Sequence, residues 1–337
     1  MSRLVISRPL GLRRTALAAA LLIQLAAPPA DGEEIQVVAE RYLSAVQAQD
    51  WEAMRAMLAP DARYLDITVQ HFGVPRVDLR GPEKIVGFWR ESARKSGTVS
   101  LTFELPERFV AGPNLVLRGH SEVRVLGSAW DLPLETIEAR FPQITHLRIV
   151  DGKVTHHTDH VDYAAFERQV AAQVESYNRE HGTKVSFPVS PVDETLLGQA
   201  TDYLAALHRD DWETLRRWLG PESQYLNFTA EALSGAVEGA EGGSQMVELF
   251  RNARAGSGTL ALTFDVQESF VAGPNVLLVG TYRVTTRGEA WGLANETVSF
   301  RIPMVVHLRI VEGVVVDHVE YLDYATGLSA LPKKPEP

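Results

Sequence analysis

Hydrophobic and polar residues alternate along residues 146–163, HLRIVDGKVTHHTDHVDY, and a closely similar run returns at residues 307–324 as HLRIVEGVVVDHVEYLDY. Alternation of this kind predicts β-strands, and the Asp-Gly pair inside the first run predicts a tight turn between two of them. Each run is therefore predicted to form a pair of strands. Each pair also carries an acid well inside its second strand, Asp159 in the first run and Glu320 in the second.

The two runs close two copies of one longer pattern. Trp51 and Trp212 are 161 positions apart (212 − 51), and so are His146 and His307 (307 − 146). The hexapeptide FVAGPN also occurs twice with that spacing. A period this long, with no insertion or deletion between these positions, indicates two complete domains rather than the short units of a solenoid.

Helices precede strands within each copy. Residues 38–58 carry apolar positions at helical spacing with a break near Asp50, which predicts two short helices, and residues 81–97 open with Gly-Pro-Glu and predict a third. Residues 63–69 predict one strand, and four longer strands follow between Gly, Pro and Asn turns. We predict an α+β domain in each copy, with about three helices packed in a curved antiparallel sheet around a conical cavity.

The remaining segments are assigned by composition. Residues 1–30 combine early arginines with the short apolar run TALAAALLIQLAA, which is typical of a secretory signal peptide. This predicts an exported protein, periplasmic or secreted, with an uncleaved N-terminal anchor as the alternative. The two domains are predicted at residues 35–168 and 193–328, with a helix and linker at 169–192 and a disordered tail at 329–337.

Composition narrows the classes of function. The 337 residues carry a formal net charge of −10 without a basic face, so we expect no nucleic-acid partner. The absence of cysteine excludes disulfides, thiolate metal sites and a cysteine nucleophile. Three histidines crowd the last strand of the first copy, but alternation places His157 beside Asp159 on one face, and His156 and His160 on the other. We therefore expect neither a metal nor a cofactor.

The order of these elements resembles the NTF2-like superfamily, particularly its SnoaL-like and ketosteroid-isomerase-like members. The resemblance is carried by RYLSAVQAQDWEAMRAMLAPDARYLDI at residues 41–67 and by LRIVDGKVTHHTDHVDY at residues 147–163. It extends over both copies, from about 35 to 168 and from about 194 to 328, and implies a cone-shaped fold in each. Members of the superfamily serve as isomerases, cyclases, dehydratases, epoxide hydrolases and binding modules, so the fold alone does not select an activity.

The resemblance to ketosteroid isomerases concerns two positions. Those enzymes have a Tyr on the first helix and, at a fixed distance, an Asp on the first strand that carries a proton between carbons of a steroid; Tyr42 and Asp66 match both without a gap. The second oxyanion donor of that family, an Asp before a His on a later strand, is replaced here by Thr145, which argues against the steroid reaction itself. In the second copy Tyr203 and Asn227 take the two positions, and an amide cannot act as the base for a carbon acid.

A second resemblance is to limonene-epoxide hydrolase. That enzyme holds its attacking water with a Tyr and an Asn two residues apart and activates the water with an Asp on the last strand. Tyr-Leu-Asn at residues 225–227 reproduces the pair, and Glu320 stands at the position of the acid. In the first copy the corresponding residues are Tyr64, Asp66 and Asp159.

The same hydrolase has a helper Arg and Asp on the middle strand. The nearest residues here are Glu122, Arg124 and Arg283, and the sequence leaves open which face of the sheet they take. His146 and His307 fall opposite the inward apolar face of their strand, which favours a surface or interface position.

These observations give one catalytic hypothesis. A carboxylate buried on an apolar concave face must be paired, hydrogen-bonded or protonated, and burial raises its pKa towards neutrality, where proton transfer is useful. We expect cofactor-independent acid-base chemistry on a small, largely apolar molecule in the first copy, with Asp66 as base, Asp159 as second acid or water activator, and Tyr42 and Tyr64 as donors. The corresponding pocket residues of the second copy are Tyr203, Tyr225, Asn227 and Glu320.

Isomerisation, cyclisation and epoxide opening all fit this hypothesis. One rival is a binding module that holds a hydrophobic ligand without turnover. Another is a purely structural partner of a secreted enzyme, in which the cavities would be plugged by their own side chains. In each case we expect the two copies to pack against each other as a pseudo-dimer.

Overall fold

A computed structural model describes residues 32–293 and 297–331 of the chain. The predicted signal peptide (residues 1–30) and residues 332–337 of the predicted tail lie outside the described residues. None of the described helices is long and apolar enough to cross a membrane.

The first domain begins with two helices, continues through a strand, a short edge strand and a third helix, and then forms four strands followed by a fourth helix. Its helices are α1 (Gly32–Gln47), α2 (Trp51–Met57), α3 (Pro82–Ser96) and α4 (Tyr163–His181), and its strands are β1 (Leu58–Asp66), β2 (Val77–Arg80), β3 (Thr98–Ala111), β4 (Asn114–Leu126), β5 (Thr136–Val150) and β6 (Lys153–Val161).

The second domain repeats this order, with a shorter last helix and with an additional one-turn α-helix between its first two strands. Its helices are α5 (Thr195–His208), α6 (Trp212–Trp218), α7 (Glu231–Ser234), α8 (Gly243–Gly256) and α9 (Tyr324–Ser329), and its strands are β7 (Gln224–Asn227), β8 (Glu238–Glu241), β9 (Thr259–Ala272), β10 (Asn275–Arg287), β11 (Thr297–Val311) and β12 (Val314–Leu322).

Each domain contains one six-stranded sheet, in the orders β2-β1-β6-β5-β4-β3 and β8-β7-β12-β11-β10-β9. The predicted α+β class and the two-domain organisation are confirmed. The prediction of a wholly antiparallel sheet is corrected, because β1 runs parallel to β6 and β7 runs parallel to β12. The short edge strands β2 and β8 are additions to the prediction; four half-exposed residues give too little alternation to be recognised.

The parallel pairing brings distant polar residues side by side. Asp66 on β1 is the register partner of Asp159 on β6, and Asn227 on β7 is the partner of Glu320 on β12. Side chains of directly opposed residues on neighbouring strands lie on the same face of a sheet. Each domain therefore holds one such pair on the face that its helices cover.

Local signals in the sequence define where the helices begin and end. The Asp50 carboxylate accepts the Ala53 N–H at 3.0 Å and caps α2. Pro82 occupies the first turn of α3, where its missing N–H costs nothing. Gly97 ends α3 with a φ of 63°, a left-handed conformation that glycine adopts without strain.

The cores of the two domains differ in continuity. In the first domain the apolar side chains form two clusters, one between α1, α2, α3 and the sheet, and one between α4 and the far end of the sheet. In the second domain the main cluster extends from Leu196 on α5 to Leu322 on β12, and a small separate cluster is formed by Tyr225, Ala240 and Met246. A gap in the packing of the first domain is therefore expected between its two clusters.

The two domains contact each other through the sheet faces that point away from the helices. Val116 and Ile144 of the first domain join Val305, Val319 and Tyr321 of the second in one buried cluster. The histidines that alternation assigned to this face lie there as well: the His146 ring is 4.9 Å from the Tyr321 ring, and the His160 ring is 5.0 Å from the His307 ring, centre to centre.

Candidate functional site

Asp66 lies at the end of β1, buried, with both carboxylate oxygens engaged. One oxygen accepts the hydroxyl of Tyr163 at 2.6 Å. The other accepts the hydroxyl of Thr68 at 3.1 Å and the N–H of Val69 at 3.0 Å. These two donors follow Asp66 directly in the chain, so the turn after β1 forms a cradle for its carboxylate.

The pKa of Asp66 is raised to about 6, mainly by burial and in part by the nearby carboxylate of Asp159. The hydrogen bonds from Tyr163, Val69 and Thr68 act against this rise, because they stabilise the charged form. A carboxyl group with a pKa this close to neutrality exchanges protons readily under ordinary conditions. Asp66 therefore has the acidity expected of a proton carrier.

Asp159, beside it on β6, has different surroundings. It accepts hydrogen bonds from Thr145 at 2.7 Å, from Gln143 at 2.9 Å and from the Tyr64 hydroxyl at 3.2 Å. The His157 ring nitrogen Nε2 lies 3.1 Å from its carboxylate. Burial alone would raise the pKa of Asp159, but His157 and these donors outweigh burial and lower it. Asp159 is therefore an ionised partner beside a protonatable Asp66.

A cavity of about 670 Å³ opens between the two core clusters of the first domain. Its wall is mainly aromatic and aliphatic, and it includes Trp51, Phe88, Trp89, Trp130, Phe141 and Phe166. Asp66, Tyr64 and Tyr163 also line this cavity. Tyr163 donates to Asp66 and Tyr64 donates to Asp159, so a few polar groups interrupt a mainly apolar wall, which is the usual layout of a pocket that orients an apolar ligand.

The other two predicted residues of the first domain lie behind this wall. Tyr42 is completely buried, and its hydroxyl is 3.0 Å from Nδ1 of His157; burial, with a further contribution from Asp159, raises its pKa. Neither Tyr42 nor Asp159 is among the residues that line the cavity. Asp159 reaches the cavity through Tyr64, which lines the wall and donates to it. Tyr42 and Asp159 therefore lie behind the residues of the cavity wall, and their part in catalysis stays a prediction.

Tyr163 is the site residue that sequence reasoning missed. It opens α4 directly after the Asp162 cap, so its side chain turns back to Asp66. A signal was present in the sequence, because Tyr324 recurs at the equivalent position of the second copy and its hydroxyl accepts from Asn227 at 2.8 Å. The long separation of 97 residues between Asp66 and Tyr163 hid the pair.

The second domain keeps the arrangement of polar groups but changes the chemistry. Glu320 accepts the hydroxyls of Tyr225 at 2.9 Å and Tyr282 at 3.2 Å, and His318 lies 3.1 Å away. Burial would raise the pKa of Glu320, but His318 and the tyrosine donors lower it below its usual value. Asn227, in place of Asp66, cannot take up a proton in this range.

The interior of the second domain around Asn227 and Glu320 is filled by side chains, and the cavity of about 410 Å³ that Arg254 and Asp210 line does not reach these residues. Arg254 stands where the first domain has Ala93, a residue of the cavity wall. Its guanidinium donates to the carbonyls of Leu207 and His208 and pairs with Asp210 at 2.7 Å. Leu207 and Asp210 are the equivalents of two wall residues of the cavity, so Arg254 crosses the space that is open in the first domain.

The four predicted residues of this pocket are accordingly parts of a packed interior. Tyr203 is completely buried, with its hydroxyl 3.0 Å from Nδ1 of His318, and the ring of Tyr225 packs on Phe250 at 4.9 Å. Asn227 and Glu320 are also bonded to neighbouring side chains, so none of the four lines an open cavity in the described residues, and their role as pocket residues stays a prediction.

The middle-strand residues left open by the sequence face solvent. Glu122 pairs with Arg140 at 3.0 Å, Arg124 lies 3.5 Å from Glu138, and Arg283 pairs with Asp265. Surface pairs of this kind contribute little energy. They do not form a helper ion pair in the cavity. The described residues also contain no group of three or more His, Asp or Glu side chains arranged to hold a metal ion.

In the comparisons with known proteins, one family model matches part of the first domain. The model of the SnoaL-like domain family matches residues 39–157. Curated proteins give no match. Among solved structures, the chain is similar to a protein described as a SnoaL-like polyketide cyclase from Shewanella putrefaciens, with 25% identity, 41% of this chain and 96% of that chain covered, and a TM-score of 0.37.

Two further solved structures are similar to one domain's length of this chain. An LEH-like epoxide hydrolase from M. tuberculosis has 17% identity, covers 44% of this chain and 97% of its own, and gives a TM-score of 0.35. A protein with a ketosteroid isomerase-like fold from Catenulispora acidiphila, solved in complex with trimethylamine, has 16% identity, covers 40% of this chain and 91% of its own, and gives a TM-score of 0.33.

Proposed function

We propose that the first domain binds a small, largely apolar molecule and catalyses a proton transfer on it without a cofactor. The match of residues 39–157 to the SnoaL-like domain family supports this proposal. SnoaL-like domains have the NTF2-like fold, which serves isomerases, cyclases and epoxide hydrolases, and the second domain shares it by strand order. The observation that carries the proposal is the meeting of Asp66, Tyr64 and Tyr163 on the wall of a mainly apolar cavity of about 670 Å³.

Asp66 acts as the base in this proposal. It takes a proton from a carbon next to a carbonyl group: the C–H bond breaks, an O–H bond forms on Asp66, and the electron pair moves to the carbonyl oxygen as an enolate. Protonated Asp66 is a poorer acceptor for Tyr163, so the hydroxyl hydrogen of Tyr163 can turn to the enolate oxygen. Return of the proton to another carbon completes an isomerisation.

Asp159 supports this step from behind the wall. Its negative charge contributes to the raised pKa of Asp66, which makes Asp66 a stronger base than an exposed carboxylate. It also accepts the Tyr64 hydroxyl at 3.2 Å and so turns a lone pair of that hydroxyl oxygen towards the cavity. In an epoxide-opening version of the reaction, that oxygen could accept a hydrogen bond from the attacking water.

Exchange of carbon-bound hydrogen tests the proposal without knowledge of the natural substrate. The protein is incubated in D₂O with cyclic ketones, including β,γ-unsaturated ones, and deuterium uptake next to the carbonyl is followed by NMR. Asp66→Asn should slow this exchange by at least about a hundredfold. The matched variant Asn227→Asp, in the filled domain, should leave the rate unchanged. Exchange that survives Asp66→Asn would contradict the proposal; diol formation from epoxides is followed with the same variants.

A binding module is the second candidate, and one observation favours it. Both oxygens of Asp66 are already hydrogen-bonded, and Asn227 makes the same set of contacts in the filled domain, accepting from Thr229 and Ala230 at 3.0 Å. Only the bond to the helix tyrosine changes direction, since Asn227 donates to Tyr324 whereas Asp66 accepts from Tyr163, and a structural role would explain both sets of contacts. Ligand retained by the wild-type protein and by Asp66→Asn, with no exchange by either, would favour this candidate.

We also propose that the two domains stand in for a dimer of separate chains. Support comes from the buried apolar cluster that both sheets share and from the Arg148–Glu231 pair between the domains, with a shortest distance of 2.6 Å. The domain limits proposed are residues 35–168 and 193–328. A monomer by light scattering at micromolar concentration is expected, whereas a chain dimer built through this same surface would require the domains to separate.

The proposal of export rests on residues 1–30 alone. Their early arginines and short apolar run are typical of a signal peptide. Expression of the full chain in a bacterial host, followed by mass determination of the protein in the periplasmic fraction, is expected to show cleavage near Ala27 or Ala30. A full-length protein held in the membrane fraction would favour the uncleaved anchor instead.

A further inference from the structure

The segment that follows β1, which forms a 3-10 helix at Thr68–Phe72, receives contacts from the second domain. We call residues 67–72 the site loop, because Thr68 and Val69 bind the Asp66 carboxylate and Val69 and Phe72 line the cavity. Thr68 is itself tied to β6, since its hydroxyl oxygen accepts the N–H of Val161 at 2.8 Å. The position of the site loop therefore controls two of the three hydrogen bonds to Asp66.

Asn275 of the second domain binds the first residue of this loop. It is completely buried, and its side-chain amide donates to the carbonyl of Ile67 at 3.3 Å and to that of Ala272 in its own turn at 3.0 Å. Its amide oxygen lies 2.9 Å from Nε2 of His307. Burial holds the pKa of His307 at about 3, so the neutral ring donates from Nε2 and fixes the orientation of the amide.

The same turn also presses on the loop backbone. Gly273 has a φ of 58°, and a Cβ built on it would lie 2.9 Å from the backbone carbon of Gln70 and 3.0 Å from the nitrogen of His71. A side chain at this position would push the loop away. Glycine therefore allows the turn to approach the loop at van der Waals distance.

We infer that Asn275, His307 and Gly273 are positioning residues of the second domain, which hold the site loop of the first domain so that Thr68 and Val69 bind Asp66. The inference rests on the proposed function, in which Asp66 carries the proton. In this inference the second domain has a role in the site of the first, because its turn at Gly273 and Asn275 positions the donors that bind the Asp66 carboxylate. None of the three touches the cavity, so each acts through the loop.

The site loop is also held by hydrogen bonds that have no counterpart among the described residues of the second domain. His71 lies 2.9 Å from Glu167 on α4, and Glu167 also accepts the N–H and hydroxyl of Ser190 in the segment between the domains. The equivalents of His71 and Glu167 in the second domain are Ala232 and Leu328, which cannot form this pair. The loop beside the protonatable acid is therefore held more extensively than its copy.

The two-fold repeat supplies a matched control. In the first domain Asn114 accepts from His146 at 2.9 Å and donates to the carbonyl of Phe228 at 3.0 Å. Phe228 belongs to the second domain and follows Asn227 in the chain. Gly112 approaches Ala232 there, with a built Cβ at 3.2 Å. Asn114→Ala removes the same groups from the same interface as Asn275→Ala, but it releases the loop of the filled domain.

The experiment is a direct titration of Asp66 in the full chain. Carboxyl-labelled aspartate is followed by ¹³C NMR in the wild type, in Asn275→Ala and in Asn114→Ala, and Asp66→Asn identifies the signal. Loss of the cradle removes hydrogen bonds that favour the charged form, so Asn275→Ala should raise the pKa of Asp66 by about one pH unit. Asn114→Ala should leave it unchanged. The ionisable groups nearest Asp66, Asp159 and Tyr163, are untouched by both variants.

Hydrogen exchange of amides 67–72 provides the second readout and should accelerate in Asn275→Ala alone. Equal shifts in both variants, or none in either, would overturn the inference. If Asn275→Ala does not fold, Gly273→Ala with its control Gly112→Ala asks the same question. The titration of Asp66 does not depend on turnover. Absence of deuterium exchange from every ketone would therefore contradict the proposed function without contradicting the role of Asn275, His307 and Gly273. If Asp66→Asn loses exchange but the pKa of Asp66 is unshifted in Asn275→Ala, the proposed function is supported and the role of Asn275 is contradicted.

Discussion

Ala93 in the first domain and Arg254 in the second occupy the same place in the fold with opposite results. Ala93 leaves part of the cavity wall open, whereas Arg254 crosses the equivalent space to bind the carbonyls at the end of α5. Around them the strand order, the helix caps and the pairing of a tyrosine with an acid are the same. The fold is therefore set by features that both copies share, and the capacity for chemistry by a few side chains.

The acids follow the same division. The first domain pairs a protonatable Asp66 with an ionised Asp159, whereas the second pairs a neutral amide with Glu320. Two neighbouring carboxyl groups with separated acidities allow proton exchange near neutral pH. An amide beside a carboxylate supplies hydrogen bonds only. Open space and a protonatable group thus occur together in one domain and are both replaced in the other.

The largest expected effect is on ligand binding, when the arginine of the second domain is introduced at the equivalent position of the first domain. In Ala93→Arg, the new side chain should reach the carbonyls at the end of α1 and fill the cavity, so binding of an apolar probe should weaken at least about a thousandfold. Binding is measured by fluorescence titration, with Ala93→Ser as the small-residue control. Retained affinity in Ala93→Arg would mean that the ligand site lies elsewhere.

The next effect is a pH-dependent change in stability. The pKa of Asp66 rises from 3.8 to about 6 on folding, so its contribution to stability is present below pH 3.8 and is lost as the pH rises through 6. Asp66→Asn does not titrate, and its free energy of unfolding should gain about 3 kcal/mol relative to wild type between pH 4 and pH 8. Urea unfolding across this range measures the difference. A constant difference would show that Asp66 is not destabilised by burial.

Removal of the Arg254 side chain from the second domain should change the free energy of unfolding by a smaller amount. Arg254→Ala leaves two carbonyls at the end of α5 without their donor and should lower the free energy of unfolding by about 2 kcal/mol. It should also create space that takes up the apolar probe, which doubles the number of probe molecules bound per chain. Unfolding curves and native mass spectrometry report the two effects. Unchanged stability would contradict the role assigned to Arg254.

The smallest effect concerns an arginine that the copies use differently. Arg148 pairs with Glu231 across the domain contact, whereas its equivalent Arg309 pairs with Asp317 inside the second domain, at 2.5 Å. Both arginines are partly exposed, so Arg148→Ala and Arg309→Ala should each cost about 1 kcal/mol in urea unfolding. Limited proteolysis of residues 183–191 should accelerate in Arg148→Ala alone. Equal acceleration in both would remove the special role of the pair between domains.

The sequence predicts much of this fold because its signals are local. Alternation, caps and the 161-residue offset give the helices, the long strands and the two domains. It does not predict that β1 pairs with β6, since nothing in either strand marks a partner about 90 residues away. The short strand β2 is missed for lack of pattern.

The site was predictable in part. Asp66, Asp159 and Tyr64 stand together as the repeat and the resemblance implied. That Asp159 and Tyr42 lie behind the wall, and that Tyr163 joins Asp66, depends on the depth of each side chain, which alternation does not give. The filling of the second pocket depends on the volume and direction of Arg254. Such properties follow from the assembled packing and not from residue type.

The pH dependence of carbonyl α-proton exchange distinguishes proton transfer by Asp66 from a purely structural role of its carboxylate. With a ketone bound in the first domain, we expect a rate that rises with pH and levels off with an apparent pKa of about 6, the value of Asp66, and we expect this rise to disappear in Asp66→Asn. An exchange rate with the same pH profile in the wild type and in Asp66→Asn would contradict it.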